Sequence, residues 1–325
     1  MMNNTLKKQF KFSSGTRITG KWHKQQYTIV KELGYGANGI VYLARTGADY
    51  VALKMSDSSM SVTSEVNVLK AFAKVQGAPL GPSLLDVDDW EISARRIPFY
   101  VMEYIQGPDL LTFVQNKGFS WTGVLVVQLL NDLDRIHQEG WVFGDLKPDN
   151  LIVTGPPYKI RCIDVGGTTM KGRAIKEFTE FFDRGYWLGH SRKAEPAYDL
   201  FSAAMILINL SYPKRFNKSG AGGIDQLRNA VMAKPELKKL KGPILGALEG
   251  KFTTALEMRQ SMLNTLSVKA DAHSKPAATG TSGRAITATR QQVKRQKSGG
   301  GFLETILVVM IVSLLYVLYI YGELL

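Results

Sequence analysis

The chain has 325 residues, 45% of them hydrophobic, and a formal net charge of +13. Its length and apolar content exclude a wholly disordered chain and allow one two-lobed domain with extensions. The single cysteine, Cys162, excludes an internal disulfide framework and fits a reducing compartment; set in an apolar run, it reads as a small buried hydrophobe.

Residues 1–24 carry Lys7, Lys8, Lys11, Arg17, Lys21 and Lys24 and no acid. They lack an apolar stretch of the kind a signal peptide needs, so they read as a basic N-terminal segment. Residues 25–60 then alternate as strands, in YTIVKELG, GIVYLARTG and YVALKMS. Residues 61–76 show helical spacing at Val66, Leu69 and Ala73. PFYVMEYIQGPDL reads as a strand running into a turn, and residues 121–138 as a strongly apolar helix ended by His137. Beyond Tyr198 the pattern is helical again. Strands followed by helices predict an α+β chain with a small strand-rich lobe and a larger helical one. Residues 264–301 carry Lys269, Lys275, Arg284, Arg290, Lys294, Arg295 and Lys297 against Asp271, and read as a basic disordered linker. From Thr305 to Gly322 there is no charge. Eighteen uncharged residues nearly span the ~30 Å of hydrocarbon in a bilayer, so 302–322 is expected to be a single transmembrane helix. Basic residues before it and only Glu323 after it place the domain in the cytoplasm and residues 323–325 outside.

Four motifs carry chemistry. GYGANGIV, residues 34–41, puts Gly34, Gly36 and Gly39 between two strand patterns, where missing side chains let backbone N–H groups approach phosphates. Alone it is a common glycine-rich turn. VALK ends in Lys54, a charge inside an apolar run, and Glu65 opens the following helix eleven residues on. VFGDLKPDNLIV, residues 142–153, offers Asp145 to orient an acceptor hydroxyl, Lys147 to neutralise a moving phosphoryl group and the Asn150 amide oxygen to a metal. RCIDVGG offers Asp164, a hard carboxylate suited to Mg²⁺. The histidines His23, His190 and His273 show no metal-ligand spacing.

In this order and spacing the motifs resemble the Hanks-type serine/threonine protein kinases over about residues 25–263. The resemblance implies a two-lobed kinase fold, ATP with Mg²⁺ or Mn²⁺, and protein substrates bearing Ser or Thr. It implies Gly34, Gly36, Gly39 and Val41 over the nucleotide, Ala52 against adenine and a Lys54–Glu65 ion pair. It places Met102 as gatekeeper, Glu103 to Ile105 as hinge and Asp109 at the ribose. Asp145 becomes the catalytic base with Lys147 beside it, Asn150 and Asp164 hold metal, and Asp199 braces the catalytic loop. The apolar tail and the runs TSEVNVLK and CIDVGGTT narrow the resemblance to short tail-anchored bacterial members and to a spore-forming host.

Departures from the family pattern bear on regulation. Phe143 stands for the usual His and Val165 for the usual Phe; with Leu69 they can stack as an apolar spine. Gly144 stands for the Arg that normally needs a phosphorylated loop, so loop phosphorylation should matter less. AEP at 194–196 is a poor substitute for the motif that anchors the activation segment. Thr168, Thr169 and Thr179 read either as autophosphorylation sites, reached in trans by self-association, or as ordinary polar loop residues. Two rival readings stand beside the protein kinase, a small-molecule phosphotransferase and a pseudokinase scaffold. The basic residues Arg284, Arg290, Lys294, Arg295 and Lys297 suit anionic lipid or non-specific DNA equally.

Overall fold

In β-strands alternate side chains point to opposite faces, and the first lobe is built on that rule. Its sheet comprises β1 (Arg17–Thr19), β2 (Gln26–Gly36), β3 (Gly39–Thr46), β4 (Asp49–Met55), β5 (Leu84–Ile92) and β6 (Arg95–Glu103) in the antiparallel order β1-β2-β3-β4-β6-β5. Val51, Leu53 and Met55 of β4 join Phe99 and Val101 of β6 in a core on one face. The residues that alternate with them, Ala52, Lys54, Tyr100 and Met102, are thereby turned to the other face. There Ala52, Tyr100 and Met102 meet helix α1 (Ser59–Phe72), capped by the Ser58 hydroxyl accepting from the Ser61 N–H. The coordinates are a computed structural model that describes residues 10–36, 39–75, 80–93, 95–220 and 222–273, with side chains as far as residue 267.

The lobe begins earlier than its sequence pattern implied. Residues 10–24, expected as a basic extension, fold onto the sheet: Ile18 is fully buried, and Phe10 closes the outer core. Their charge meets acids on β5. Lys21 pairs with Glu91 at 2.6 Å, and the Trp22 and His23 N–H groups donate to Asp88 at 2.9 and 2.8 Å. This complementarity is why β5 escaped the alternation search: its acidic residues serve the N-terminal turn rather than solvent. His23, which showed no metal-ligand spacing in sequence, sits against Asp86 at 2.6 Å, with Asp86 and Asp88 both hydrogen-bonded to protein donors.

The second lobe surrounds α5 (Pro196–Ser211), buried along nearly its whole length. Around it lie α2 (Leu110–Lys117), α3 (Ser120–Gln138), the short α4 (Arg184–Leu188), α6 (Gly223–Ala233), α7 (Pro235–Lys238), α8 (Lys241–Leu248) and α9 (Ala255–His273). α9 packs along α3 at Gly123, where a Cβ would stand 2.9 Å from Leu266. It runs to residue 273, so the first ten residues of the expected linker are helical. Two small ribbons complete the lobe: β8 (Leu151–Thr154) with β9 (Lys159–Cys162), and β7 (Trp141–Val142) with β10 (Thr169–Met170). Leu69, Phe143 and Val165 belong to one buried cluster that continues from α1 to α5, as the spine reading requires. Cys162 is fully buried in the same cluster. Among the described residues no helix is long and apolar enough to cross a membrane, and the expected span 302–322 lies outside them.

Candidate active site

A cleft of about 820 Å³ lies between the lobes. Gly34, Gly36, Gly39, Val41, Ala52, Lys54, Met102, Glu103, Ile105, Asp145, Lys147, Asn150 and Asp164 all line it. Sequence-distant motifs therefore converge on one space. The three glycines differ in what they need. A Cβ on Gly39, whose φ is +131°, would stand 1.9 Å from the Met55 carbonyl, so glycine is required there by packing. A Cβ on Gly34 or Gly36 would meet nothing within 4 Å; these positions leave the turn bare toward the cleft.

Lys54 reaches the cleft because of the β4 alternation, and it is only 6% exposed. Its Nζ donates to Glu65 Oε2 at 2.6 Å and stands 3.5 Å from Asp164 Oδ1. Tyr100, opposite Lys54 in the β4–β6 register, donates its hydroxyl to the same Glu65 oxygen at 2.7 Å. Burial alone would push the Lys54 ammonium down; Asp164 and Glu65 outweigh it and hold the group above its ordinary value. Burial likewise works against the Asp164 carboxylate, but Lys54 and the Gly166 N–H hold it below the usual carboxylate range. At neutral pH the pair is a fixed cation beside a fixed anion. Glu65 stands behind the cleft as the support of Lys54.

The loop bearing Asp145 is hung from a single buried carboxylate. Asp199, fully buried on the first turn of α5, accepts the Phe143 N–H at 2.7 Å and the Gly144 N–H at 2.9 Å. It also bonds His137 Nε2 at 2.8 Å. His137, near the end of α3, thus reaches the brace. Asp145 Oδ2 pairs with Lys147 Nζ, and Asp145 Oδ1 accepts the Thr179 hydroxyl at 3.0 Å. The Asn150 Nδ2 donates to the Asp145 carbonyl at 3.2 Å, which leaves its amide oxygen to the cleft. Gly144 has φ +87°, and a Cβ there would stand 2.6 Å from the Gly167 carbonyl. The missing Arg is therefore matched by a close approach of the two loops.

Several expectations move. Asp109 does not line the cleft: its carboxylate caps α2, accepting from Thr112 N–H at 2.9 Å and Thr112 Oγ1 at 2.6 Å. Glu103 does, yet its side chain is bound to Arg161 Nη1 at 3.1 Å and Nη2 at 2.8 Å. Arg161 also donates to the Gly81 carbonyl at 2.8 Å, so one guanidinium clasps the hinge. Thr168 and Thr169 are buried, and Thr179 is held by the Asp145–Lys147 pair, so none of the three stands free as a phosphate acceptor in this conformation.

The activation-segment anchor, which AEP left open, is built by charge pairs within the segment. Buried Asp183 accepts from the Gly185 and Tyr186 N–H groups, the Arg192 guanidinium and the Tyr198 hydroxyl. Arg184 pairs with Glu195, the residue before Pro196 opens α5. Asp183 and Arg192 were missed because single charges in loops carry no periodic signal, and Arg161 because one charge on the four-residue β9 reads as a solvated strand residue. Tyr100 was findable, being the alternation partner of Met102. The basic residues Arg284, Arg290, Lys294, Arg295 and Lys297 lie outside the described residues.

Residues 27–261 match the protein kinase domain family. The chain is 50% identical to the serine/threonine-protein kinase YabT of Bacillus subtilis across 98% of each chain. It is 33% identical to the serine/threonine-protein kinase RIM15 of Saccharomyces cerevisiae over 40% of this chain and 8% of that one. Sperm motility kinase 2B of Mus musculus is 34% identical over 45% of this chain and 30% of its own.

Proposed function

The chain belongs to the protein kinase family and is a serine/threonine protein kinase, and on that premise we propose that Asp145, Lys147, Lys54, Asn150 and Asp164 carry phosphoryl transfer from ATP to a protein hydroxyl. One observation carries this reading: Lys54 of the strand lobe, backed by Glu65, faces the same cleft as Asp145, Lys147 and Asp164 of the helical lobe. The residues present fit a metal-bound nucleotide. The bare Gly34 and Gly36 backbone can approach phosphates, Lys54 offers them a cation, and Asp164 with the Asn150 amide oxygen is an all-oxygen donor set of the kind Mg²⁺ or Mn²⁺ takes. The metal, when bound, neutralises phosphate charge. Ala52, Met102 and the Glu103–Ile105 backbone form the apolar and hydrogen-bonding end suited to adenine.

The protein's share is positioning. Asp145 orients the acceptor hydroxyl and takes its proton; Lys147 holds that carboxylate and meets the moving charge; Asp199 fixes the loop on which both stand. A small-molecule phosphotransferase is disfavoured by the Thr179 hydroxyl bonded to both Asp145 and Lys147. A pseudokinase is disfavoured by intact Lys54, Asp145 and Asp164. Asp145→Asn is expected to lower kcat by about 10³-fold with ATP affinity retained, read by single-turnover transfer to a protein acceptor and by nucleotide titration. Wild-type turnover in that variant overturns the assignment.

The same reading sets the kinase domain on the cytoplasmic side of the cell membrane, held by residues 302–322 as a single span. The 18 uncharged residues from Thr305 to Gly322 support it, and membrane flotation with and without them tests it. Non-specific DNA is the proposed partner of Arg284, Arg290, Lys294, Arg295 and Lys297, gathering chains for autophosphorylation in trans. If about five phosphates are neutralised, log K falls with log salt at a slope of about −4.5. Filter binding of mixed-sequence DNA across a salt series, with those five residues changed to Gln, decides between DNA and anionic lipid.

A further inference from the structure

Gly144 leaves the catalytic loop without the cation that would tie a loop phosphate to it, yet the described activation segment is ordered against α1. What holds it there is a lysine. Ile175 is buried with Val142, Ala194 and Tyr198, and its N–H donates to the Arg192 carbonyl at 2.9 Å. A Cβ on Gly144 would stand 3.6 Å from Ile175 Cδ1, so this apolar residue borders the place that an Arg would start from. Ile175 fixes the start of the next residue, Lys176. Its Nζ donates to Ser64 Oγ at 3.0 Å and to the Thr168 carbonyl at 3.0 Å.

Those two acceptors are not arbitrary. Ser64 precedes Glu65, the support of Lys54, on α1. Thr168 closes the turn that begins at Asp164, its N–H donating to the Val165 carbonyl at 3.0 Å. One ammonium therefore joins the helix that sets Lys54 to the turn that sets Asp164. We infer that Lys176 is a positioning residue: a built-in cation that holds α1 and the Asp164 turn in the transfer-competent arrangement and replaces a phosphorylated loop residue. Lys176 borders the same cleft, and in this role it acts through Ser64 and the Thr168 carbonyl. The inference rests on the assignment of Lys54 and Asp164 made above. It also accounts for two departures together, the loss of the loop Arg at Gly144 and the burial of Thr168 and Thr169.

The test uses the full chain with Lys176→Ala, Lys176→Arg, Ser64→Ala and the Lys176→Ala/Ser64→Ala pair, beside Asp164→Ala as control. Two charge-assisted hydrogen bonds are at stake, so Lys176→Ala is expected to lower kcat about tenfold, with thermal midpoint unchanged and faster amide exchange in α1. Lys176→Arg should restore most of the loss, since a longer cation still reaches Ser64 Oγ. Ser64→Ala should cost less than Lys176→Ala, and the double variant no more than Lys176→Ala alone, because both remove one contact. Wild-type kcat in Lys176→Ala overturns the inference, and so does a loss that Arg fails to rescue or that adds fully to Ser64→Ala. If Asp164→Ala itself keeps activity, the underlying site assignment has failed instead.

Discussion

Two stretches of chain meet beside the cleft, and they are held by different physics. The catalytic loop, Phe143 to Asn150, hangs by backbone N–H groups from one buried carboxylate, Asp199. The activation segment, Asp164 to Glu195, is held by side-chain pairs spread along it: Lys176 on Ser64, Thr179 on Asp145, Asp183 on Arg192 and Arg184 on Glu195. Main-chain bonds to a buried anchor have fixed geometry and no alternative partner, because an unpaired buried group is costly. Pairs with an exposed partner, such as Lys176 on Ser64, are individually weaker and replaceable, and only Asp183 among the four is a fully buried carboxylate. The first region is therefore all-or-none, and the second can be adjusted one contact at a time. Asp145, Lys147 and Asn150 sit on the rigid region, and the contacts of Lys176 and Thr179 sit on the adjustable one.

The sharpest way to break the contrast is to remove the single anchor. Asp199→Ala strands two backbone donors and His137 in the interior, and is expected to cost about 3–5 kcal/mol in urea unfolding, with activity lost. Asp199→Asn, which keeps an acceptor oxygen, should fall between it and wild type. Asp183→Asn strikes the densest point of the distributed set. It keeps the shape but surrenders the charge facing Arg192, and should cost about 2 kcal/mol while slowing transfer without abolishing it. If Asp183→Asn proves as destructive as Asp199→Ala, the two regions are not differently built.

Thr179→Val removes one hydroxyl from the Asp145–Lys147 pair and should lower kcat about threefold to tenfold, one hydrogen bond's worth. Thr179→Ser should be near wild type. A fall in Thr179→Val of the size expected for Asp145→Asn would make Thr179 part of the rigid region. The smallest effect concerns the hinge. Burial works against the Glu103 carboxylate, but Arg161 and the Ser83 N–H outweigh it and hold it below its ordinary value. The unfolded chain then binds the proton more readily, so this contribution is fully present above the ordinary glutamate value of 4.5 and is lost as pH falls below it. Thermal midpoints of wild type should drop more steeply there than those of Glu103→Gln.

The same division governs what could be read in advance. Lys54, Asp145, Asn150 and Asp164 were legible because the chemistry fixes both residue type and spacing. The strands β2, β3 and β4 were legible because burial on one face imposes alternation. Asp109, directly after Gly107-Pro108, takes the helix-cap role that its position also allows, which the family pattern did not foretell. The N-terminal fold was hidden for a related reason. Lys21 and Trp22 look like a solvated tail until Glu91 and Asp88, some seventy residues on, arrive beside them. Lys176, Asp183 and Arg192 are decided wholly by tertiary context, which no local pattern encodes.

Cys162 has a use that follows from its address. It is the chain's only thiol, fully buried in the cluster shared by both lobes, and burial pushes its ionisation up out of the range where thiols react. A thiol-directed reagent can consume it only after that shared core has opened. Its labelling rate is therefore a stopwatch on the separation of the lobes, readable in wild type without adding a probe. A ligand that draws the lobes together should slow it. A cysteine introduced on any exposed surface would label faster by orders of magnitude, so a single dye can be placed at will without removing the native residue.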